Sequence, residues 1–143
     1  MTIGDAAQEV MAMIIGTCAL VAAGTEVDVL CRRLGEVDPR ESTEGSVSVR
    51  PRLPRLVEAR VMSDGDGRAD FVILTIADDT PVGIAELTEG FGEPGEDVRT
   101  DGRGRVFDFT DVRFEGCKVL VDGRRTPQRQ WTARSVRILK PAY

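Results

Sequence analysis

Residues 90–95 read Gly-Phe-Gly-Glu-Pro-Gly, which matches the G-x-G-x-x-G spacing that holds a pyrophosphate in dinucleotide-binding proteins. In such a site the glycines follow a strand and open a helix, because the unpaired amides of the helix N-terminus bind the anion. Here Thr80 and Pro81 are typical of a helix start, and apolar residues follow them at helical spacing. The glycines are therefore predicted to lie at the end of a helix, and we predict no nucleotide site.

The sequence gives little support for a metal site or for catalysis by histidine. The chain has no histidine, which excludes a Ser-His-Asp triad, a Cys-His dyad and a His-ligated metal site within it. Residues 64–70 resemble the start of an EF-hand loop, but Arg68 occupies the fifth position and Ala69 replaces the required glycine. We predict a plain turn there, with no metal site and no cofactor.

Three cysteines and four carboxylates are the remaining candidates for chemistry. Cys18 and Cys31 fall on apolar helix faces and are predicted to lie in the core, as is Cys117. Alternatively, Lys118 could lower the pKa of the neighbouring Cys117 thiol and make it reactive. A carboxylate buried in the sheet could act as an acid or base, and the candidates are Glu86, Glu89, Asp108 and Glu115. We predict no catalytic residue, so an enzyme is the less favoured class.

The elements that must position these residues follow from hydrophobic periodicity. Helices are predicted from Asp5 to about Ala23, from Thr25 to a left-handed stop at Gly35, and from Thr80 to Gly92. Glu36 to Ser46 is predicted to be a loop. Strands are predicted at 46–50, 56–62, 71–76, 105–109, 116–121 and 131–140, with Asp122-Gly123 in a hairpin turn. The prediction is a single α+β domain, residues 1–143, with helices on a curved, mainly antiparallel sheet of about five to six strands.

The apolar run from Val10 to Gly24 is the segment that could be confused with a membrane span. It is shorter than the about 20 residues that a bilayer crossing needs. A secretory signal carries positive charge ahead of its apolar region, where this chain has Asp5 and Glu9. We predict a buried helix in a cytoplasmic protein that does not contact a membrane, with export as the alternative.

Charge is unevenly distributed along the chain. Residues 1–98 carry 8 basic and 19 acidic side chains, a balance of −11, whereas residues 99–143 carry 11 basic and 5 acidic ones, a balance of +6. Arg124, Arg125 and Arg129 lie close to Trp131, so they are candidates for contact with an anion or a partner. The net charge of −5 argues against nucleic acid as that partner.

Four aromatic residues could line a cavity between helix and sheet. They are Phe71, Phe107, Phe109 and Trp131. A closed pocket lined by them would favour a carrier of a small apolar ligand, or a cyclase or isomerase that acts without histidine. A filled core with an exposed face would instead favour a protein that binds a partner.

Two segments share one pattern: a threonine, a short amphipathic helix, and then Gly-Glu at 35–36 and 92–93. The second ends Phe-Gly-Glu-Pro and resembles the helix–Gly–x–Pro–strand signature of small modules in outer-membrane assembly lipoproteins and β-lactamase inhibitory proteins. It is also similar to small actinobacterial immunity-type proteins. The resemblance covers mainly residues 71–139. It implies a non-catalytic immunity or inhibitor protein that recognises another protein through its open sheet face. The sequence leaves open whether the protein forms a homodimer.

Overall fold

The computed structural model describes residues 2–100 and 104–141. Helices, strands and one short 3-10 helix follow each other in this order: α1 (Asp5–Ala22), α2 (Val27–Leu34), β1 (Gly35–Thr43), β2 (Ser46–Pro51), β3 (Leu56–Ser63), β4 (Ala69–Ile76), α3 (Ile84–Phe91), β5 (Gly95–Thr100), β6 (Gly104–Phe109), the 3-10 helix (Val112–Phe114), β7 (Lys118–Arg125) and β8 (Trp131–Leu139). The α+β class is confirmed.

All eight described strands form one sheet in the order β1-β2-β3-β4-β8-β7-β6-β5, and every neighbouring pair is antiparallel. The sheet consists of two four-stranded meanders, β1–β4 and β5–β8, which meet where β4 pairs with β8. The short helices α2 and α3 each precede one meander. The repeated pattern in the sequence therefore corresponds to a repeated order of elements in the fold.

The expected five to six strands are too few, because the pattern misses both edge strands. The segment predicted as a loop, 36–46, contains most of β1, which pairs with β2 on one side only. Its residues are mainly polar, and Pro39 lies within it, as edge strands that resist aggregation often show. The other edge, β5, begins at Gly95 directly after the glycine-rich segment. Neither edge strand has the alternation of apolar and polar residues by which a strand is recognised in a sequence.

The helices cover one face of the sheet. The largest cluster of buried side chains joins residues of α1, α2 and α3 to the strand residues that point toward them, such as Val49, Leu74, Val121 and Val136. The helix α1 alone has the length and composition of a membrane span among the described helices. Ala7, Val10, Ile14, Cys18 and Val21 are fully buried in this cluster, so the prediction of a buried helix is confirmed for the side of α1 that faces the sheet.

The starts of α2 and α3 differ from the predicted threonine caps. The residue that precedes α2 is Glu26, whose backbone forms an isolated bridge with Arg68. Helix α3 begins only after Gly83, because the chain before it is extended along β8: the Ala133 amide donates to the Val82 carbonyl at 2.7 Å. The predicted helix start at Thr80 is therefore wrong by four residues.

The end of α3 confirms the prediction for the glycine-rich segment. The helix ends at Phe91, and the Gly92 amide donates to the Thr88 carbonyl at 2.8 Å. Gly92 has φ of 93°, a conformation that favours glycine over other residues. Gly90 thus lies in the last turn of α3, and Gly92 and Gly95 follow a helix C-terminus, which lacks the free amides that an anion site needs.

Of two turns predicted at polar residues, the structure has one at the predicted position and the other further along the chain. In the Asp64 turn, the Asp64 carboxylate accepts hydrogen bonds from the backbone amides of Asp66 and Arg68 at 2.8 and 3.0 Å, which holds the predicted plain turn between β3 and β4. By contrast, Asp122 and Gly123 lie inside β7, and the β7–β8 connection begins after Arg125. The predicted hairpin turn is therefore shifted along the chain.

Candidate binding face of the sheet

The face of the sheet opposite the helices, termed the open face, presents side chains from six neighbouring strands. Cross-strand pairing places its residues in rows, since directly paired residues share a face. The open face comprises Ser46, Ser48, Glu58, Arg60, Met62, Phe71, Ile73, Thr75, Leu139, Arg137, Ser135, Lys118, Leu120, Asp122 and Asp108. These side chains come from both meanders, so the seam between β4 and β8 runs through the middle of this face.

The centre of the open face is apolar. Phe71 and Ile73 on β4 are directly paired with Leu139 and Arg137 on β8, and Leu120 lies opposite Arg137 on β7. Phe71, Ile73 and Leu139 are partly exposed and lie outside the core cluster. Leu120 is 8% exposed yet also lies outside that cluster, so its neighbours on the open face shelter it. The centre of the face therefore carries four apolar side chains, with Arg137 between Ile73 and Leu120.

Ion pairs lie beside these apolar side chains, and both members of each pair belong to the open face. The Arg137 guanidinium donates two hydrogen bonds to Asp122, at 3.0 and 3.1 Å, and the Ser135 hydroxyl adds a third at 2.9 Å. On the other side of Ile73, Arg60 lies 3.4 Å from Glu58.

Further hydrogen bonds hold the Glu58 and Arg60 side chains in place. Glu58 accepts a hydrogen bond from the Ser48 hydroxyl at 2.7 Å, and Arg60 donates to the Ser46 hydroxyl at 2.9 Å. At the β6–β7 side of the face, Lys118 lies 3.9 Å from Asp108. Arg60, Arg137 and Lys118 thus each have a carboxylate partner within 4.0 Å on the same face.

The four predicted cavity residues do not line one cavity. Phe71 lies on the open face, whereas Phe107, Phe109 and Trp131 are on the helix side of the sheet. Phe107 contacts Trp131 edge to face, with 5.8 Å between ring centroids. Phe109 is 1% exposed and belongs to a separate aromatic contact with Phe91, at 6.1 Å. Binding of an apolar ligand by these four together has no geometric basis, because the sheet lies between them.

The predicted arginine cluster lies at the β7–β8 hairpin and is exposed. Arg124 and Arg125 end β7, and Arg129 follows in the connecting turn with φ of 65°. The Arg125 guanidinium lies over the Trp131 ring, 5.8 Å from its centroid, so one predicted arginine–aromatic contact exists. Arg124 and Arg134 line a small cavity of about 160 Å³. Contact with an anion or a partner stays a prediction for these residues.

The carboxylates proposed for acid–base chemistry lie on three different parts of the chain: Glu86 and Glu89 on α3, Asp108 on β6, and Glu115 directly after the 3-10 helix. Asp108 points to the open face, as strict alternation predicts, and its side chain is 34% exposed. Glu86 instead accepts hydrogen bonds from the backbone amides of Gly83 and Gly4, at 3.0 and 2.8 Å, which connects the start of α3 to the N-terminal segment. Within residues 2–100 and 104–141, no group of three or more His, Cys, Asp or Glu side chains is placed to hold a metal ion.

The cysteines lie in the core, and the alternative of an activated Cys117 is wrong. Cys18, Cys31 and Cys117 are free and buried. Burial raises the pKa of the Cys117 thiol, and Lys118 cannot lower it because the lysine points to the open face toward Asp108. Burial also raises the pKa of Cys18, and it raises that of Cys31 to about 11. The Cys117 thiol donates to the Cys18 carbonyl at 3.4 Å.

Native thiols are therefore expected to resist alkylation. At neutral pH, raised pKa values keep the thiolate fraction small, and burial excludes the reagent. Iodoacetamide should label all three cysteines of the folded protein at least about 100-fold more slowly than those of the urea-unfolded protein. Mass spectrometry of timed samples measures this ratio for each cysteine. Rapid labelling of Cys117 alone in the folded protein would contradict the assignment of that thiol to the core.

The residues of the open face other than Phe71 and Asp108 were not singled out from the sequence. The usable signal was the run Phe71–Ile76, because such a run suits a central strand with apolar side chains on both faces. Since only one face of this sheet carries helices, half of that run had to point to the uncovered side. The ion pairs around it, from Arg60 and Arg137, depend on pairing between distant strands and leave no local pattern.

The fold and the candidate site define an α+β protein with one helix-covered sheet face and one open face. No protein-family model and no curated protein matches the sequence. The crystal structure of YjgB, a DUF4309 family protein from Bacillus subtilis subsp. subtilis str. 168, is similar to this structure with a TM-score of 0.62. The similarity covers 96% of this chain and 99% of that chain at 9% sequence identity, so it concerns the fold alone.

Proposed function

We infer that this protein is a non-catalytic binding module that recognises a protein partner through the open face, as an immunity or inhibitor protein does. The supporting observation is an apolar centre, formed by Phe71, Ile73, Leu120 and Leu139, on the sheet face that carries no helix among the described residues. Contiguous exposed apolar side chains with a polar rim are typical of protein interaction sites.

The charges of the open face favour a protein partner over a nucleic acid. Arg60, Arg137 and Lys118 each have a carboxylate within 4.0 Å on the same face. Phosphate binding depends on cations that can neutralise the backbone, whereas these cations are already neutralised. The partner surface that fits is therefore apolar and close to neutral, such as a protruding loop with one or two apolar side chains.

The size of the face also favours a protein. The six strands of the open face span about 24 Å in the hydrogen-bonding direction, at about 4.8 Å between neighbouring strands. An open surface of this width suits an interface that buries about 800 Å² on each partner, while small ligands are usually enclosed in concave pockets.

Replacement of Ile73 by Asp tests the proposal. A charge at the apolar centre is expected to weaken partner binding at least about 30-fold, the effect of losing a contact worth about 2 kcal/mol at the middle of an interface. The matched control is Val112→Asp, since Val112 is 94% exposed and belongs to the 3-10 helix that contacts α1 on the other side of the sheet.

Wild type, Ile73→Asp and Val112→Asp serve as baits in lysate of the source organism, followed by calorimetry with the purified captured protein. The proposal expects one protein that binds wild type and Val112→Asp but not Ile73→Asp, while circular dichroism shows all three variants folded. Equal capture by all three overturns it, as does a stoichiometric small molecule without any captured protein.

A further inference from the structure

A second apolar surface lies on the helix side of the molecule, outside the core. A groove of about 560 Å³ runs between the outer side of α1, the C-terminal end of α2 and the β2–β3 connection. Its apolar lining comes from Ala12, Met13, Gly16 and Leu20 on α1 and from Leu34 and Leu53 opposite. The volume lies within the about 300–1,000 Å³ of typical small-molecule sites.

Thr17, another lining residue, has a hydroxyl without a partner. Its side chain is 2% exposed, and its Oγ1 finds no hydrogen-bond acceptor or donor in the described part of the chain. Helical threonines commonly donate to the carbonyl four residues earlier, and Thr88 does so here with Ile84 at 2.9 Å. Thr17 makes no such bond. An unpartnered buried hydroxyl costs stability, so the Thr17 hydroxyl weakens the packing beneath the groove.

The ends of the groove differ in charge. Glu9 at one end is neutralised by Arg55, which lies 2.8 Å away. Arg33 at the other end is exposed and its guanidinium has no ion-pair partner among the described residues. A second cation is close, because the Arg52 guanidinium donates to the Arg33 carbonyl at 3.2 Å. The groove is therefore apolar along its length and cationic at the α2 end.

We propose that this groove binds a linear anionic amphiphile of the fatty-acid class. The alkyl chain lies along α1 over Ala12 and Gly16, and the carboxylate binds Arg33. Small side chains on α1 leave room for the chain, since nothing lies within 4 Å of a Cβ built on Gly16. This site is independent of the protein-binding proposal, because the two surfaces lie on opposite sides of the sheet.

Gly16→Leu fills the groove and Arg33→Gln removes its charge. A Cβ built on Gly16 has no atom within 4 Å, so a side chain can be added there without a clash at the backbone. The matched control for charge is Arg32→Gln, since Arg32 is also exposed in the last turn of α2 but does not line the groove. Thr17→Val removes the unpartnered hydroxyl at nearly constant volume, so it should raise the melting temperature and leave ligand binding unchanged.

Isothermal titration with sodium dodecanoate below its micelle concentration measures binding to the full chain and to each variant. We expect one site in the wild type, retained in Arg32→Gln, weakened about 10-fold or more in Arg33→Gln and absent in Gly16→Leu. Dodecanol, which lacks the charge, should bind more weakly than dodecanoate.

Four results would overturn the proposal. The first three are the absence of saturable dodecanoate binding, unchanged binding in Gly16→Leu, and unchanged binding in Arg33→Gln. Binding to phosphatidylglycerol vesicles without binding of monomeric dodecanoate would also overturn it, since the groove would then be part of a membrane-docking surface.

Discussion

Gly35→Ala is expected to lower the free energy of unfolding by about 3 kcal/mol, at the upper end of the cost of overpacking. A Cβ at position 35 would lie 1.9 Å from the Arg50 carbonyl oxygen and 2.8 Å from its carbonyl carbon. Both are backbone atoms of the paired strand β2, so neither can rotate away. The Arg52 amide also donates to the Leu34 carbonyl at 2.9 Å, which fixes the approach of the two segments.

Chemical denaturation followed by circular dichroism measures this loss, and the corresponding fall in melting temperature is about 10 °C for a chain of this size. The control is Gly16→Ala, which adds a Cβ with nothing within 4 Å inside a helix. That variant should gain about 0.5–1 kcal/mol, because alanine is the better helix former. Equal stabilities of the two variants would show that the β2 backbone yields at position 35.

Gly35 also shows how a sequence signal can give the right boundary for the wrong reason. A glycine after an amphipathic segment predicts a left-handed helix stop, and α2 does end at Leu34. The φ of Gly35 is 166°, however, which is extended backbone that any residue adopts. Glycine is needed because β2 passes too close for a side chain. That closeness depends on residues 15 positions away, which no local pattern reports.

The fold class could be predicted because most elements carry their own periodicity. The helix at the N-terminus, the end of α3 at Gly92 and the central strand with Phe71 and Ile73 all follow from local patterns of apolar residues and glycine. Strand number could not be predicted, because β1 is an edge strand with little to bury. Backbone pairing with β2 defines this strand. Its polar side chains form no alternating pattern in the sequence.

The candidate site was predictable only in outline. An open sheet face follows from a fold with few helices and many strands, but its composition depends on register. The Arg137–Asp122 pair joins residues 15 apart on neighbouring strands, and it is diagonal because the register pairs Asp122 with Ser135 and Arg137 with Leu120. The four aromatic residues were grouped by their type alone. Register then placed Phe71 on one side of the sheet and the other three on the opposite side.

Phe114→Ala is expected to be the most destabilising single substitution argued for this chain, at about 3–5 kcal/mol, the usual cost of removing a fully buried phenylalanine. Phe114 is 1% exposed and contacts Phe91 edge to face, with 4.9 Å between ring centroids. The 3-10 helix that carries it contacts α1, so one side chain joins α1 to the end of α3. Asp111 fixes this segment by accepting a hydrogen bond from the Arg113 amide at 2.8 Å.

The same short helix supplies the control. Val112→Ala removes an apolar side chain that is 94% exposed, so the unfolding free energy should change by no more than about 0.5 kcal/mol. Phe114→Leu keeps most of the buried volume and should cost clearly less than alanine. Urea denaturation of the three variants gives this order. Equal losses of stability in Phe114→Ala and Val112→Ala would show that Phe114 does not hold α1 and α3 together. The packing described for this half of the sheet would then be incorrect.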